Sequence, residues 1–266
     1  YGEVPAAPDV ANAKPGYTFQ GWNPALAAMG TADVDYNAVF TAAGDTPYTI
    51  EYYTMDTTGA YGAAETETKT GATDTVVTLN VTAPTGFTLD TDASELEGTI
   101  AADGGLVLRV YYIRNQYTFK TVVDGVEAEA TYYYDAAVET PAAPEKIGYT
   151  FAGWSPEVPA TMPSKDVTVE AQWTINQYTI TFVDTGDVAY DEIKQDYASD
   201  IADIADPVKT GYTFTGWDVE IPDTMPAKDM TSTATWKVNQ YPATFVIDGV
   251  SKDVATDFGA MPVAPE

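Results

Sequence analysis

The chain has 266 residues, 40 acidic against 12 basic, and a formal net charge of −28. It has no cysteine and no histidine, which excludes disulfide frameworks, zinc–thiolate sites and the commonest general base, and its acidity argues against nucleic acid and anionic membranes as partners. Hydrophobic residues make up 45% and aromatics 12%, enough to bury cores, and no apolar run approaches the roughly 20 residues of a membrane span, so direct membrane insertion is not expected.

Residues 1–41 read as the later part of a repeat unit. A Pro/Ala loop leads to Gly16-Tyr17-Thr18-Phe19-Gln20-Gly21-Trp22, Met29 follows, and Val34, Tyr36, Ala38 and Phe40 alternate as a half-buried strand. Residues 42–47 (Ala-Ala-Gly-Asp-Thr-Pro) read as a flexible linker and hinge. Residues 48–114 form a divergent unit. Tyr48–Tyr53 is a strand, Asp56–Gly59 a turn, and Glu65–Lys69 a strand that pairs back. Thr85–Leu89 is a degenerate signature strand, Ala102–Gly105 a tight turn, and Leu106, Leu108, Val110 and Tyr112 a final alternating strand.

Residues 115–175 and 176–238 are complete units, each opening on Asn-Gln-Tyr, at Asn115 and Asn176. Tyr117, Phe119, Thr121 and Val123 share one face of the first strand, as do Tyr178, Ile180 and Phe182 in the next unit. Asp124-Gly125 predicts a two-residue hairpin turn with positive φ, and Asp184–Asp187 a longer one. A Pro/Ala crossover with room for one helical turn leads to Gly148–Trp154 or Gly211–Trp217, and Val167–Trp173 or Met230–Trp236 alternates as the last strand. Residues 239–266 repeat the first hairpin, with Tyr241, Ala243, Phe245 and Ile247 on one face and the turn at Asp248-Gly249. The segment from Phe258 to Glu266 is in the phase of Tyr1 to Asp9, so the chain reads as a window on a longer array.

The three signatures share Gly16, Tyr17, Phe19 and Trp22; Gly148, Tyr149, Phe151 and Trp154; and Gly211, Tyr212, Phe214 and Trp217. A unit of about 60 residues buries only about 60% of its unfolded surface, and large aromatics are an efficient way to close so small a core. A sugar-stacking platform would use the same residue types, but recurrence at a fixed place in each unit favours the core. The junctions around Asn115, Asn176 and Asn239 contain no Gly, Pro or Ser spacer, so neighbouring units are expected at a fixed angle. No nucleophile–base pair or phosphate loop occurs, and the acidic run Asp196–Asp206 lacks the spacing of a calcium loop. No catalytic residue, metal ligand or cofactor is expected.

Tyr178–Phe182, Gly211–Trp217, Met225–Asp229 and Ala234–Trp236 together give Tyr-Thr-Ile-x-Phe, Gly-Tyr-Thr-Phe-x-Gly-Trp, Met-Pro-x-Lys-Asp and Ala-x-Trp. This pattern resembles the Listeria–Bacteroides repeat, the internalin B-repeat-like module of bacterial surface proteins. The first unit departs from it in Met29-Gly30 and in Phe40 where the others have Trp. Residues 48–114, with Val110–Asn115, are similar to mucin-binding-protein-type repeats. The resemblance implies a mostly β or α+β chain of tandem β-grasp-like domains arranged as a rod, extracellular or attached to the cell wall, with no catalytic residues to carry over. The function expected is a stiff, non-catalytic stalk segment whose partners are neighbouring repeats of the same or adjacent chains. One alternative is adhesion to a host glycan or protein through residues 48–114. The other is a head-to-tail filament completed by strand exchange between residues 239–266 and 1–41.

Overall fold

In the computed structural model, residues 2–10, 12–184 and 188–266 are described, and all their regular structure is strand. The crossovers run extended. The helical turn expected in them is absent among the described residues; at their starts, Asp135–Val138 and Ala198–Ile201 bond instead to the backbone around the buried Met162 and Met225. The long turn expected at Asp184–Asp187 lies largely outside the described residues.

The strands fall where apolar residues alternate. They are β1 (Tyr17–Asn23) and β2 (Asn37–Ala42); then β3 (Thr46–Thr54), β4 (Glu65–Gly71), β5 (Val76–Thr78), β6 (Phe87–Leu89), β7 (Glu97–Thr99) and β8 (Val107–Arg114). Next come β9 (Gln116–Val123), β10 (Val126–Tyr133), β11 (Tyr149–Ser155) and β12 (Val167–Ile175). The last are β13 (Gln177–Asp184), β14 (Val188–Asp196), β15 (Tyr212–Trp217), β16 (Met230–Val238), β17 (Gln240–Ile247) and β18 (Val250–Asp257). Asp124 and Gly125 have φ of 49° and 81°, and Asp248 and Gly249 of 50° and 75°, the values the two-residue hairpins require.

Three four-stranded sheets share one order: β4-β3-β8-β6, β10-β9-β12-β11 and β14-β13-β16-β15. In the first and third, the two inner strands are parallel and the outer pairs antiparallel. This hairpin–crossover–hairpin arrangement is the sheet expected of a β-grasp-like domain. Module 48–114, which lacks the Gly-Trp signature, has the same order, with β6 in the signature strand's place. It adds a two-stranded sheet, β5-β7.

The chain divides into two compact units: Tyr1–Thr140 with Val158–Val169, and Pro141–Glu157 with Glu170–Glu266. The first unit holds the β1-β2 pair, the β4-β3-β8-β6 sheet and the β9–β10 hairpin. One of its cores is Tyr48, Ile50, Ile100, Leu108, Val110 and Tyr112. The second holds the β14-β13-β16-β15 sheet over Ile180, Phe182 and Met225, and the β17–β18 hairpin.

Two stretches differ from expectation. The strand read over Val34–Phe40 begins only at Asn37. Among the described residues β2 pairs with β1 alone, so Val34–Tyr36 have no parallel neighbour to hold them extended. Residues 42–47 are not a loose linker. Ala42 ends β2, Thr46 begins β3, and Thr46 is buried. Ala43 gives its N–H to Gly16 and accepts the N–H of Thr73, both at 2.9 Å. The small side chains let three segments approach closely, so the stretch acts as a joint.

Candidate functional site

The signature strand divides into two halves with different tasks. In the second half, the register shifts between Phe19 and Gly21, Phe151 and Gly153, and Phe214 and Gly216. These are β-bulges, with the glycines at φ of 133°, 125° and 124°. In an unbroken strand residues three apart point to opposite faces; the extra residue of a bulge reverses that. Phe and Trp thus meet edge to face, at 5.6, 5.4 and 5.3 Å in the three modules. Nothing lies within 4 Å of where a Cβ would sit on these glycines, so they serve the bulge and not a close approach. Trp217 also packs on buried Phe182, 4.9 Å away. This half packs against the core: Trp217 is half-buried on the Ile180, Phe182 and Met225 cluster.

The first half, Gly-Tyr-Thr, faces the next module. The carbonyl of Gly148 accepts the N–H of Asn176 (2.9 Å), the carbonyl of Asn176 accepts the N–H of Tyr197 (2.8 Å), and the hydroxyl of Thr150 donates to Oδ1 of Asn176 (2.6 Å). The Tyr197 ring lies against Gly148 where a Cβ would overlap it, and meets the Tyr149 ring edge-on at 6.0 Å. Gly148 has φ of 77°. The same clasp recurs at Gly211, Tyr212, Thr213, Asn239 and Phe258, with bonds of 2.8, 2.8 and 2.6 Å and rings 6.2 Å apart.

The clasp also joins module 48–114 to the repeat after it. Gly86, Phe87 and Thr88 meet Asn115 and Tyr134, with bonds of 2.9, 2.8 and 2.7 Å and rings 6.0 Å apart. Arg114 reinforces this joint by donating to the carbonyls of Met55 (2.9 Å) and Tyr134 (2.8 Å). Between modules 1–41 and 48–114 the joint is built on hydroxyls. Thr73 bonds the Gly16 carbonyl at 2.7 Å and the Thr46 hydroxyl at 2.6 Å, while the Tyr17 hydroxyl donates to Asp74. That bond holds the Tyr17 phenol above its usual pKa. A Cβ on Gly16 would strike the backbone of Ala102.

A residue two positions before each signature was missed by sequence reasoning. Lys14, Lys146 and Lys209 sit over the rings of Tyr17, Tyr149 and Tyr212, at 3.5, 4.8 and 5.3 Å. Lys146 and Lys209 also lie 5.4 Å from Trp173 and Trp236. Module 48–114 has Pro84 in that place, and there the Arg114 guanidinium covers Phe87 at 4.7 Å. The spacing Lys-x-Gly-Tyr was the available signal. The Met-Pro-x-Lys-Asp motif also gains a role. Met162 and Met225 are fully buried. Asp166 and Asp229 accept the backbone N–H of Thr118 and Thr179, each at 2.8 Å, which pins the loop before the module's last strand to its first strand.

One surface is particular to module 48–114. On the sheet face opposite the core, Tyr53 and Tyr111 stack at 4.5 Å with planes 8° apart, and Tyr61 meets Tyr111 edge-on at 5.0 Å. Tyr53 donates to Glu51 (2.9 Å) and Tyr61 to Asp90 (3.4 Å). The Glu51 bond raises the Tyr53 pKa, and desolvation followed by Asp90 raises that of Tyr61. Arg109 bridges Glu51 (3.2 Å) and Glu95 (2.7 Å). In module 176–238 the equivalent face carries Thr179, Thr181, Thr231 and Thr233. Among the described residues no group of three or more acidic side chains is placed to hold a metal ion.

The Listeria–Bacteroides repeat domain matches residues 116–174 and 178–236. Two of the modules are therefore Listeria–Bacteroides repeats. Relatives carry similar stretches. A Gly-rich membrane protein of Evansella cellulosilytica is 27% identical over 100% of this chain and 36% of its own length. A second membrane protein of that bacterium is 28% identical over 57% of this chain and 26% of its own. Internalin H of Listeria monocytogenes is 38% identical over 38% of this chain and 20% of its own. The chain thus spans little more than a third of these relatives at most. No helix among the described residues is long and apolar enough to cross a membrane. The chain is a tandem-repeat region in which Listeria–Bacteroides repeats are joined to each other, and to a divergent module, by one recurring clasp.

Proposed function

We propose that this region is a non-catalytic stalk segment of a bacterial extracellular surface protein or adhesin, acting as a stiff spacer. The observation that carries the reading is the clasp, which recurs with bond lengths within 0.1 Å at Asn115, Asn176 and Asn239. Each clasp combines three hydrogen bonds, worth about 0.5–1.5 kcal/mol apiece, with an edge-on aromatic pair worth about as much. A joint of this kind opposes hinge motion between neighbours, and modules that contact only their neighbours extend a chain without enlarging its core. The internalin and membrane-protein relatives support a cell-surface setting. Because the chain has no cysteine, paired labels can be placed freely. Spin labels on β12 and β16 are expected to give a narrow distance distribution, widened by Tyr197→Ala; a broad distribution in the unaltered chain would rule out the spacer.

The tyrosine face favours a second reading, adhesion to a host glycan or protein through module 48–114. Binding on a glycan array that is lost with Tyr53→Ala and Tyr111→Ala would support it, and no binding below millimolar concentration would count against it.

A further inference from the structure

In module 176–238 the chain enters by β13 and leaves by β16, and these two strands are parallel neighbours at the centre of the sheet. Ile180 to Val183 pair there with Met230 to Thr233. Module 48–114 is entered by β3 and left by β8, again parallel and central, with Thr49 to Thr54 paired to Val107 to Tyr112. Backbone N–H bonds from Thr49 to Leu106 (2.9 Å) and from Met55 to Tyr112 (3.0 Å) lengthen this second ladder at both ends. A parallel pair has the entry at one end of its ladder and the exit at the other. Tension along the chain therefore drives the two strands past each other, and the rungs, evenly spaced in a parallel ladder, bear the load together. Strands pulled apart from one shared end would instead release one rung at a time.

Two further features suit these ladders to load. An outer strand flanks each side of the inner pair, and Ile180, Phe182 and Ser232 in one module, or Ile50, Leu108 and Val110 in the other, are buried on it. Water thus has little access to replace a strained bond. In module 176–238 the Asp229 carboxylate adds a rung, since it accepts the Thr179 N–H at 2.8 Å near the entry of β13. We propose that modules 48–114 and 176–238 are tensile clamps, which keep a stalk folded while it is pulled, and that 48–114 is the stronger of the two. Its ladder of six pairs outlasts the four of module 176–238. The tension comes from the stalk role, whereas resistance to it belongs to each module. Label distances across the joints test the first, and pulling forces test the second.

Single-molecule pulling on the whole chain tests the clamps, with handles on pairs of introduced cysteines in a chain that has none. Gln177→Cys with Lys237→Cys grips the entry of β13 and the exit of β16 and loads the ladder in shear. Gln177→Cys with Lys228→Cys grips one shared end, beside the Asp229–Thr179 bond, and peels the same ladder. Asp45→Cys with Gln116→Cys loads module 48–114 in shear. All five of these side chains are exposed. At one pulling speed, the peeled module is expected to open at a several-fold lower force than the sheared one, and module 48–114 at the highest force. Asp229→Ala should lower the force of the sheared module 176–238, and Asp229→Asn, which keeps an acceptor oxygen, should lower it less. Forced opening follows the unfolding rate, and folded stability is common to both pulling directions, so equal forces in shear and peeling overturn the clamp. A module 48–114 that opens at or below the force of module 176–238 overturns the ranking, and an Asp229→Ala chain as strong as the parent overturns the added rung.

Discussion

Modules 176–238 and 48–114 build the same sheet order over different cores. In the first, Ile180, Phe182 and Met225 are buried under Trp217, Ile201, Ile204 and Ile221. In the second, Tyr48, Ile50, Ile100, Leu108, Val110 and Tyr112 are buried under Val77, Leu79, Leu96 and Leu106, part of them from the β5–β7 insert. Aliphatic residues on an added pair of strands replace a tryptophan set by a bulge. What survives of the signature in the second module is Gly86-Phe87-Thr88, the half that holds the next module. The core can be closed in more than one way, whereas the clasp at Asn115, Asn176 and Asn239 keeps a glycine under a ring and a hydroxyl facing the asparagine. The signature is thus two motifs run together, and the divergent module separates them.

The largest test of this division is Trp217→Ala, expected to cost about 3–5 kcal/mol and to unfold module 176–238 ahead of its neighbours in calorimetry. The same position in module 48–114 is exposed Asp92, where alanine should change stability by less than about 0.5 kcal/mol. A comparable loss at both positions would sink the claim that the modules close differently.

Gly148→Ala and Gly153→Ala separate the two halves within one strand. At Gly153 the surrounding space is open and only backbone strain of about 1–3 kcal/mol is expected. At Gly148 left-handed strain of about 1–2 kcal/mol is joined by displacement of the Tyr197 ring. Gly148→Ala should therefore also widen the label distances across the Asn176 joint, while Gly153→Ala leaves them narrow.

A smaller effect is expected from Asn176→Ala, which removes the acceptor of Thr150 and should cost about 0.5–1.5 kcal/mol. Its double-mutant cycle with Thr150→Val should show coupling, and so should Asn115 with Thr88 in the divergent module.

The smallest is a pH effect. The Thr233 N–H, with help from Ser232, holds Asp218 below the usual carboxylate pKa. Its stabilisation is therefore full above the ordinary carboxylate range and fades as pH falls through the depressed value. Asp218→Asn should flatten the acid limb of the stability profile of module 176–238. Asp56 is lowered in the same direction, first by the Thr58 hydroxyl, but inside its own turn. Asp56→Asn should therefore affect chiefly the 56–60 loop, read by amide exchange.

Local pattern carried much of the fold. Alternation in Leu106–Tyr112, Val167–Trp173 and Met230–Trp236 marks strands because the side-chain period of a strand is two, and Asp124-Gly125 marks a hairpin because only certain residues accept positive φ. The three signatures counted the Gly-Trp modules for the same reason: repetition is visible without any contact. The seating of the Tyr197 ring on Gly148 and the closure of 42–47 into a joint were not legible. Each depends on residues far apart in the chain, such as Gly148 with Tyr197 or Gly16 with Thr73, and on whether a neighbouring ring fills the space a glycine leaves. Composition and period determined that small β modules recur; that the first half of each signature became a joint was decided only when the next module came to rest on its glycine, as a ring at Gly148 and Gly211 and as the Ala102 backbone at Gly16.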